Sequence, residues 1–215
     1  MKFKNKLMWL NTGNGTAGYQ LNLMEYLMTK FRKDFVVLEV GSAYGGAVEM
    51  MTQVANHELG RENVSVYGYD TFEGHPKDLA DDPNSMEAKV MDEWYTTEGC
   101  EKDKLSYDYQ RKILDDLGLT NAHLVKGRVN KHSFDDIKKV HLAMLDMDLV
   151  KPTKVAYHAL KDKIVSGGFM MFHDAYPPEH LPLLYDFVKN EVITDERWRL
   201  DEVSREGYFV ALERK

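Results

Sequence analysis

Short apolar runs alternate along the chain with longer stretches in which apolar residues recur at helical spacing. The short runs predict strands that are buried on both faces, and the amphipathic stretches predict helices. The predicted strands cover residues 36–40, 64–70, 123–127, 140–146, 169–174, 197–203 and 207–213. Helices are predicted at residues 17–32, 105–117 and 179–192, and directly after the first and fourth strands. This alternation predicts an α/β fold with a mostly parallel sheet and helices on both faces.

Turn-forming residues set the expected ends of several elements. Pro152 is tolerated in the first turn of a helix, so the helix after the fourth strand is expected to begin there and to include Ile164. The sequence Ser166-Gly167-Gly168 is expected to stop this helix. Near the end of the chain, Ser204-Arg205-Glu206-Gly207 predicts a tight turn, which makes the last two strands an antiparallel hairpin.

The length of 215 residues suits a single domain, residues 1–215, with a sizeable core. Two segments stand outside the alternation of strands and helices. Residues 1–34 are expected to form a helical extension at the N-terminus. Residues 75–104 are polar and acidic, and they are far longer than the few residues that a strand-to-helix connection needs. We therefore expect this segment to be an insertion or a lid.

The first predicted strand leads into the sequence Glu39-Val40-Gly41-Ser42-Ala43-Tyr44-Gly45-Gly46. Gly41 allows a sharp turn, and Gly45 and Gly46 lack the Cβ atoms that would keep a ligand away. The helix that follows offers free backbone N–H groups, which favour negative groups. The segment therefore predicts a cradle for a nucleotide-like ligand. Its GxxxGG spacing differs from the GxGxxG of dinucleotide-binding proteins, which argues against an NAD(P)-dependent dehydrogenase.

Five polar residues fall at the carboxyl ends of predicted strands: Glu39, Asp70, Asp146, His173 and Asp174. Ligands of parallel α/β sheets bind at this edge, so the five residues predict an active site there. Asp70 follows the glycine-rich turn at about the distance from which an acid accepts ribose hydroxyls, roughly 20 residues. A lone aspartate at a strand end is also a frequent helix or turn cap.

Composition restricts the partners and the compartment. The net charge of −7 argues against a general nucleic-acid-binding surface. No stretch approaches the roughly 20 apolar residues that span a bilayer, so no membrane partner is expected. The chain has one cysteine, Cys100, which cannot form an internal disulfide and suggests a reducing cytoplasm. A small molecule is the expected partner.

Several blocks together carry a family resemblance. The form ExGxxxGG, found at Glu39–Gly46, is the first motif of class I S-adenosylmethionine-dependent methyltransferases. Residues 69–76, YDTFEGHP, are similar to the DTFEG-x-P signature of the macrocin O-methyltransferase family. Residues 145–153, LDMDLVKPT, resemble the LDGDxYxST block of that family, and residues 167–174 resemble its GGxxxxDD. The resemblance covers residues 36–175.

This resemblance implies a Rossmann-like class I methyltransferase fold with seven strands and S-adenosylmethionine as cofactor. The methionine part would lie over Glu39, Gly41, Ser42, Tyr44, Gly45 and Gly46. The ribose would bind Asp70, with Thr71 and Phe72 beside it, and the adenine would be edged by Gly127, Arg128 and Val129. The implied reaction is O-methylation of a hydroxyl on a small molecule, a sugar or a glycosylated natural product. The resemblance also implies a homo-oligomer.

Members of the family bind a divalent metal, Mg²⁺ or Mn²⁺, at positions that correspond here to Asp146, His173 and Asp174. A metal lowers the pKa of a hydroxyl, and Asp146 or His173 could then take its proton. The chain departs from the family pattern because His173 replaces an aspartate, and Mg²⁺ prefers oxygen ligands whereas imidazole suits Mn²⁺, Fe²⁺ or Zn²⁺. Three interpretations stay open: the metal differs, His173 is a general base beside an Asp146 and Asp174 site, or no metal binds.

Two further functions also stay open at this point. One is a different metal-dependent enzyme on the same fold, such as a hydroxylase or another group transferase. The other is a cofactor-binding module without catalytic activity.

Overall fold

The computed structural model describes residues 14–74, 102–205 and 207–215. Within these residues, seven strands form one sheet in the order β3-β2-β1-β4-β5-β7-β6. The strands are β1 Phe35–Val40, β2 Val64–Asp70, β3 Ala122–Lys126, β4 Val140–Leu145, β5 Ile164–His173, β6 Trp198–Ser204 and β7 Phe209–Arg214. The expected insertion at residues 75–104 lies outside the described residues, apart from its last three positions.

Helices occupy both faces of the sheet. They are α1 Asn14–Lys30, α2 Gly46–Leu59, α3 Lys102–Leu105, α4 Tyr107–Asp116, α5 Val150–Leu160 and α6 Pro182–Phe187. A 3₁₀ turn at Arg61–Asn63 precedes β2, and a π-helical turn at Val188–Val192 extends α6. The predicted helix at residues 105–117 is interrupted at Ser106, whose side-chain oxygen accepts from the Tyr109 N–H and caps α4.

The pairing of the strands positions the candidate site. Strands β1 to β5 are parallel, whereas β7 runs antiparallel between β5 and β6. The predicted mixed sheet with a C-terminal hairpin is therefore confirmed. Strand β1 lies between β2 and β4, so the strand order reverses beside its carboxyl end. In open α/β sheets this switch point is where ligands bind.

The prediction that the helix after the fourth strand extends to Ser166-Gly167-Gly168 is wrong. Helix α5 ends at Leu160, and both Ile164 and the Ser166–Gly168 segment belong to β5. Val140 pairs with Ile164 and Leu142 pairs with Phe169, so β5 carries extra residues in an irregularity opposite β4. The glycines serve this bulge, since a Cβ at Gly168 would lie 2.9 Å from the carbonyl oxygen of His141.

The core fills both sides of the sheet, and every residue of β4 is buried. On one side, side chains of the sheet pack against α5 and α6, with Tyr157 and Phe187 among the buried residues. On the other side they pack against α1 and α2, where Met24 and Met51 are buried. The predicted N-terminal helix thus packs on the same side of the sheet as α2. Residues 1–13 lie outside the described part of the chain.

A buried histidine completes the hydrogen bonding at the start of β1. The Val36 N–H donates to Nδ1 of His141 over 3.0 Å. His141 is 3% exposed and packs against the rings of Phe31 and Phe35. Burial lowers the pKa of His141 to about 4, with a smaller contribution from the positive charge of Lys139. The imidazole is therefore neutral and accepts a hydrogen bond in the folded protein.

We expect this histidine to make stability fall steeply in mild acid. Below pH 6.5 the histidine of the unfolded chain binds a proton, while His141 in the folded chain stays neutral until about pH 4. The unfolded state then binds more protons, so the free energy of unfolding falls by about 3 kcal/mol between pH 7 and pH 4 from this residue. Urea unfolding across this range measures the fall.

The matched variant is His141→Gln, which keeps a hydrogen-bond acceptor but does not titrate. The acidic groups of the fold contribute equally to both proteins, so the difference between the two pH profiles isolates His141. Parallel profiles for the variant and the parent would contradict the assignment.

Candidate active site

The turn after β1 lies directly against the end of β4. The Gly41 N–H donates to the Tyr69 carbonyl over 2.8 Å, and the Asp146 N–H donates to the Val40 carbonyl over 2.8 Å. Gly41 has a φ of 92°, and a Cβ at this position would overlap the carbonyl oxygen of Asp146. Only glycine fits, because the backbone of Asp146, directly after β4, occupies the space of a side chain.

Gly41→Ala is therefore expected to destabilise the fold strongly. The methyl group would collide with backbone that is tied to β1, and residue 41 would keep a φ that is unfavourable for alanine. We therefore expect the free energy of unfolding to fall by at least about 3 kcal/mol. Urea unfolding measures it. The matched control is Gly18→Ala in α1, where a Cβ meets no atom within 4 Å and helix propensity predicts a gain of about 0.5–1 kcal/mol. A Gly41→Ala protein as stable as its parent would contradict the close approach.

Asp70 ties the glycine-rich turn to the end of β2. Its Oδ2 accepts from the Ala43 N–H over 2.9 Å, and its Oδ1 accepts from the Phe72 N–H over 2.8 Å. Ala43 and Phe72 both have positive φ angles, 41° and 56°, which non-glycine residues rarely adopt. The half-buried carboxylate is thus fixed in place by backbone donors on both sides, in strained loops typical of ligand sites.

Buried polar atoms surround the same turn without a hydrogen-bond partner. Among the described residues they include Glu39 Oε2, Ser42 Oγ and Gln110 Oε1. Such atoms are costly unless something else binds them, so they fit a site for a ligand with several polar groups. S-adenosylmethionine, with its ammonium, carboxylate and ribose groups, satisfies that requirement. Burial raises the pKa of Glu39 well above its ordinary value, and Asp146 and Asp70 raise it further.

A cavity of about 480 Å³ opens at the carboxyl ends of β1, β2, β3 and β4. Seven of the residues predicted for the site line it: Gly41, Asp70, Thr71, Gly127, Arg128, Val129 and Asp146. The other predicted residues are not among those that line it: Glu39, Ser42, Tyr44, Gly45, Gly46, Phe72, His173 and Asp174. Phe72 is buried, and its ring packs edge-on against the ring of Tyr107, with the two centroids 5.4 Å apart.

A cluster of two carboxylates and a histidine stands at the ends of β4 and β5. Nδ1 of His173 lies 2.9 Å from Asp146 Oδ1 and 2.9 Å from Asp174 Oδ2. The side chains of His173, Asp146 and Asp174 are 21%, 27% and 15% exposed, so solvent and ligands can reach them. Asp146 also lines the cavity, so this residue links the cluster to the space beside the glycine-rich turn.

The charges of the cluster fix its protonation. Burial alone lowers the pKa of His173, but Asp146 and Asp174 raise it well above its ordinary value. Burial alone raises the pKa of Asp174, but the charge of His173 and hydrogen bonds from His173 and His180 hold it below its usual range. Without a metal ion His173 is therefore an imidazolium between two carboxylates. In this state the imidazolium cannot accept a proton, and a metal ion at Nδ1 would have to displace the proton that the ring carries.

The donor atoms of the cluster also suit a metal ion. One ligand atom from each of Asp146, His173 and Asp174 lies within 4.8 Å of the others. Two carboxylates would balance the charge of a dication, and carboxylate oxygens and imidazole nitrogens are common metal ligands. The residues present therefore fit a divalent metal.

Three residues of the site were not assigned from the sequence. Asp148 lines the cavity, has a φ of 57° and shares a hydrogen bond with Asp174. Its position two residues after Asp146 is the one sequence signal that places it at the site. Gln110 reaches from α4 to donate its amide to the carbonyls of Ala43 and Leu105. Nε2 of His180 lies 3.1 Å from Asp174 Oδ1. Neither Gln110 nor His180 lies in a local pattern that predicts these contacts.

Comparisons with known proteins agree with the fold of this chain. The chain shares its fold with the O-methyltransferase NovP, at 18% sequence identity and a TM-score of 0.68, over 92% of this chain and 78% of NovP. The chain also shares this fold with the calicheamicin methyltransferase CalS11, at 18% identity and a TM-score of 0.68, over 91% of this chain and 79% of CalS11. No curated protein sequence matches the chain. In the described part of the chain, no helix is long and apolar enough to cross a membrane.

The family is established by sequence. The macrocin O-methyltransferase (TylF) family matches residues 21–206, which is most of the chain and includes every strand-end residue described above. The chain therefore belongs to the macrocin O-methyltransferase family and is an S-adenosylmethionine-dependent methyltransferase.

Proposed function

We propose that this protein transfers the methyl group of S-adenosylmethionine to a hydroxyl of a sugar or glycosylated natural product, with the help of a divalent metal. One observation carries the proposal. Asp146 belongs both to the cavity beside the glycine-rich turn and to the cluster with His173 and Asp174. A cofactor in the cavity and a hydroxyl at the cluster would therefore be neighbours.

The cofactor side of the site has the required chemistry. Asp70 is held by backbone N–H groups, and its remaining lone pairs can accept the two ribose hydroxyls. Glu39, Ser42, Tyr44, Gly45 and Gly46 would surround the methionine part, with Gly41 beneath it. Thr71 and Phe72 would flank the ribose, and Gly127, Arg128 and Val129 would edge the adenine.

The acceptor side explains how a hydroxyl becomes reactive. Its oxygen must displace the sulfur of the cofactor in line with the S–CH₃ bond, and its proton must go to a base. The metal, held by Asp146, His173 and Asp174, would lower the pKa of the hydroxyl. We assign the proton to Asp146, because it lines the cavity and only its Oδ1 faces His173. His173 cannot take the proton, because neither ring nitrogen has a free lone pair in an imidazolium or in a metal-bound imidazole.

The structural relatives support a sugar as acceptor. The calicheamicin protein is described as a TDP-rhamnose 3'-O-methyltransferase. The shared fold, together with the membership of this chain in the macrocin O-methyltransferase family, suits a sugar hydroxyl here. We place the reaction in the cytoplasm, because the single cysteine suits a reducing compartment. We also expect a homo-oligomer, which the sedimentation of the purified protein tests.

Transfer of a labelled methyl group tests the proposal. The protein is incubated with methyl-labelled S-adenosylmethionine, Mg²⁺ or Mn²⁺, and a panel of deoxysugar nucleotides and glycosides. We expect label on a sugar hydroxyl, and we expect a metal chelator to reduce the rate. Label that appears on nitrogen or carbon, or a rate that the chelator leaves unchanged, would contradict the proposal.

A further inference from the structure

The cluster of Asp146, His173 and Asp174 presents nitrogen and oxygen to one point. Nδ1 of His173 is 2.9 Å from an oxygen of each aspartate. Ligand bonds of about 2.1 Å at right angles put neighbouring donor atoms about 3 Å apart. The observed separations thus equal those of adjacent ligands on one ion, with the imidazole nitrogen between the two oxygens.

A second histidine supports the cluster from outside. Nε2 of His180 lies 3.1 Å from Oδ1 of Asp174, the oxygen that does not face His173. The His180 ring packs against the ring of Tyr208, with centroids 4.9 Å apart. One oxygen of Asp174 is therefore fixed while the other faces the cluster. Ligands of metal ions are usually oriented by such outer partners.

We propose that the metal of this site is a transition dication, Mn²⁺, Fe²⁺ or Zn²⁺, which binds Nδ1 of His173 and one oxygen each of Asp146 and Asp174. The inference rests on the metal assistance proposed above and adds the identity of the ion. Mg²⁺ demands oxygen ligands in a near-ideal octahedron, and an imidazole in the first shell disfavours it. Imidazole nitrogen suits the transition ions. His180 is a positioning residue that holds Asp174.

Metal binding to the stripped protein tests the identity of the ion without any turnover. The full chain is freed of metal with a chelator and titrated by calorimetry with MnCl₂ and with MgCl₂, in the absence of S-adenosylmethionine. We expect Mn²⁺ to bind at least about tenfold more tightly than Mg²⁺. Pulsed EPR of the bound Mn²⁺ should show coupling to a nitrogen nucleus.

Two variants separate the roles of the histidines. His173→Asp makes the ligand set all oxygen, so the nitrogen coupling should disappear and the preference for Mn²⁺ over Mg²⁺ should shrink. His180→Asn should keep the nitrogen coupling but weaken Mn²⁺ binding by about 10–100-fold, as loss of an outer partner does. Circular dichroism verifies that each variant is folded, and the EPR result on the parent protein stands without the variants.

The inference is overturned if Mn²⁺ binds without nitrogen coupling, if Mg²⁺ binds as tightly as Mn²⁺, or if neither ion binds. Cofactor binding is measured separately on the same protein. A nitrogen-coupled Mn²⁺ in a protein that does not bind S-adenosylmethionine would leave this inference standing and overturn the proposed function. Methyl transfer by a protein that binds no metal would overturn this inference and the metal assistance, and leave the methyltransferase activity standing.

Discussion

Replacing Asp70 with asparagine should weaken S-adenosylmethionine binding by about 100-fold or more, because charged hydrogen bonds are each worth about 1.5–3 kcal/mol and two to the ribose would be lost. The amide would also point a donor at the N–H of Ala43 or Phe72, which both now donate to the carboxylate. Calorimetry with S-adenosylmethionine and with its demethylated product measures the loss.

Glu73→Gln is the matched control for this variant. It removes the same charge three residues away, on an exposed side chain that pairs with Lys126 at 2.9 Å. We expect its cofactor affinity to equal that of the parent. If Asp70→Asn bound the cofactor as well as Glu73→Gln does, Asp70 would be only a cap of the turn.

The second large effect is expected for Asp174→Asn, which should lower kcat by at least about 100-fold while cofactor affinity changes little. Asparagine keeps the size of the side chain and tolerates the φ of 56° at this position, so the fold is preserved. The variant removes one of the two charges beside His173 and thus disturbs the acceptor side of the cavity. Initial rates, together with calorimetric titration of the cofactor, separate the two effects.

Asp186→Asn serves as the control, because Asp186 is an exposed acid in nearby α6. We expect its rate and its cofactor affinity to match the parent. A loss of cofactor binding in Asp174→Asn equal to the loss of rate would instead place Asp174 in the cofactor site or in the support of the fold.

The parts of the fold that depend on local patterns could be predicted from the sequence. Strand β2 has the predicted bounds, Val64–Asp70, because both ends carry local signals: a turn before it and an acid at its tip. The glycine-rich turn and the strand-end residues were found in the same way. Parallel strands bring their carboxyl ends to one edge, so residues far apart in sequence, such as Asp70 and Asp146, were expected to meet there.

The features that the sequence does not predict depend on contacts between distant segments. Ile164 continues the apolar spacing of α5, and only its pairing with Val140 in β4 makes it a strand residue. Gln110 contacts the glycine-rich turn across 67 positions, and His180 meets Asp174 after the chain folds back following β5. No local pattern encodes such contacts, because they depend on how the helices lie on the sheet.

We propose that the cavity at the carboxyl ends of β1 to β4 binds S-adenosylmethionine. Calorimetric titration of the purified protein with S-adenosylmethionine, and with its demethylated product, measures this binding. We expect one molecule to bind per chain, with an affinity that is strongly weakened in Asp70→Asn and unchanged in Glu73→Gln. Absence of binding by both compounds in a folded protein would contradict it.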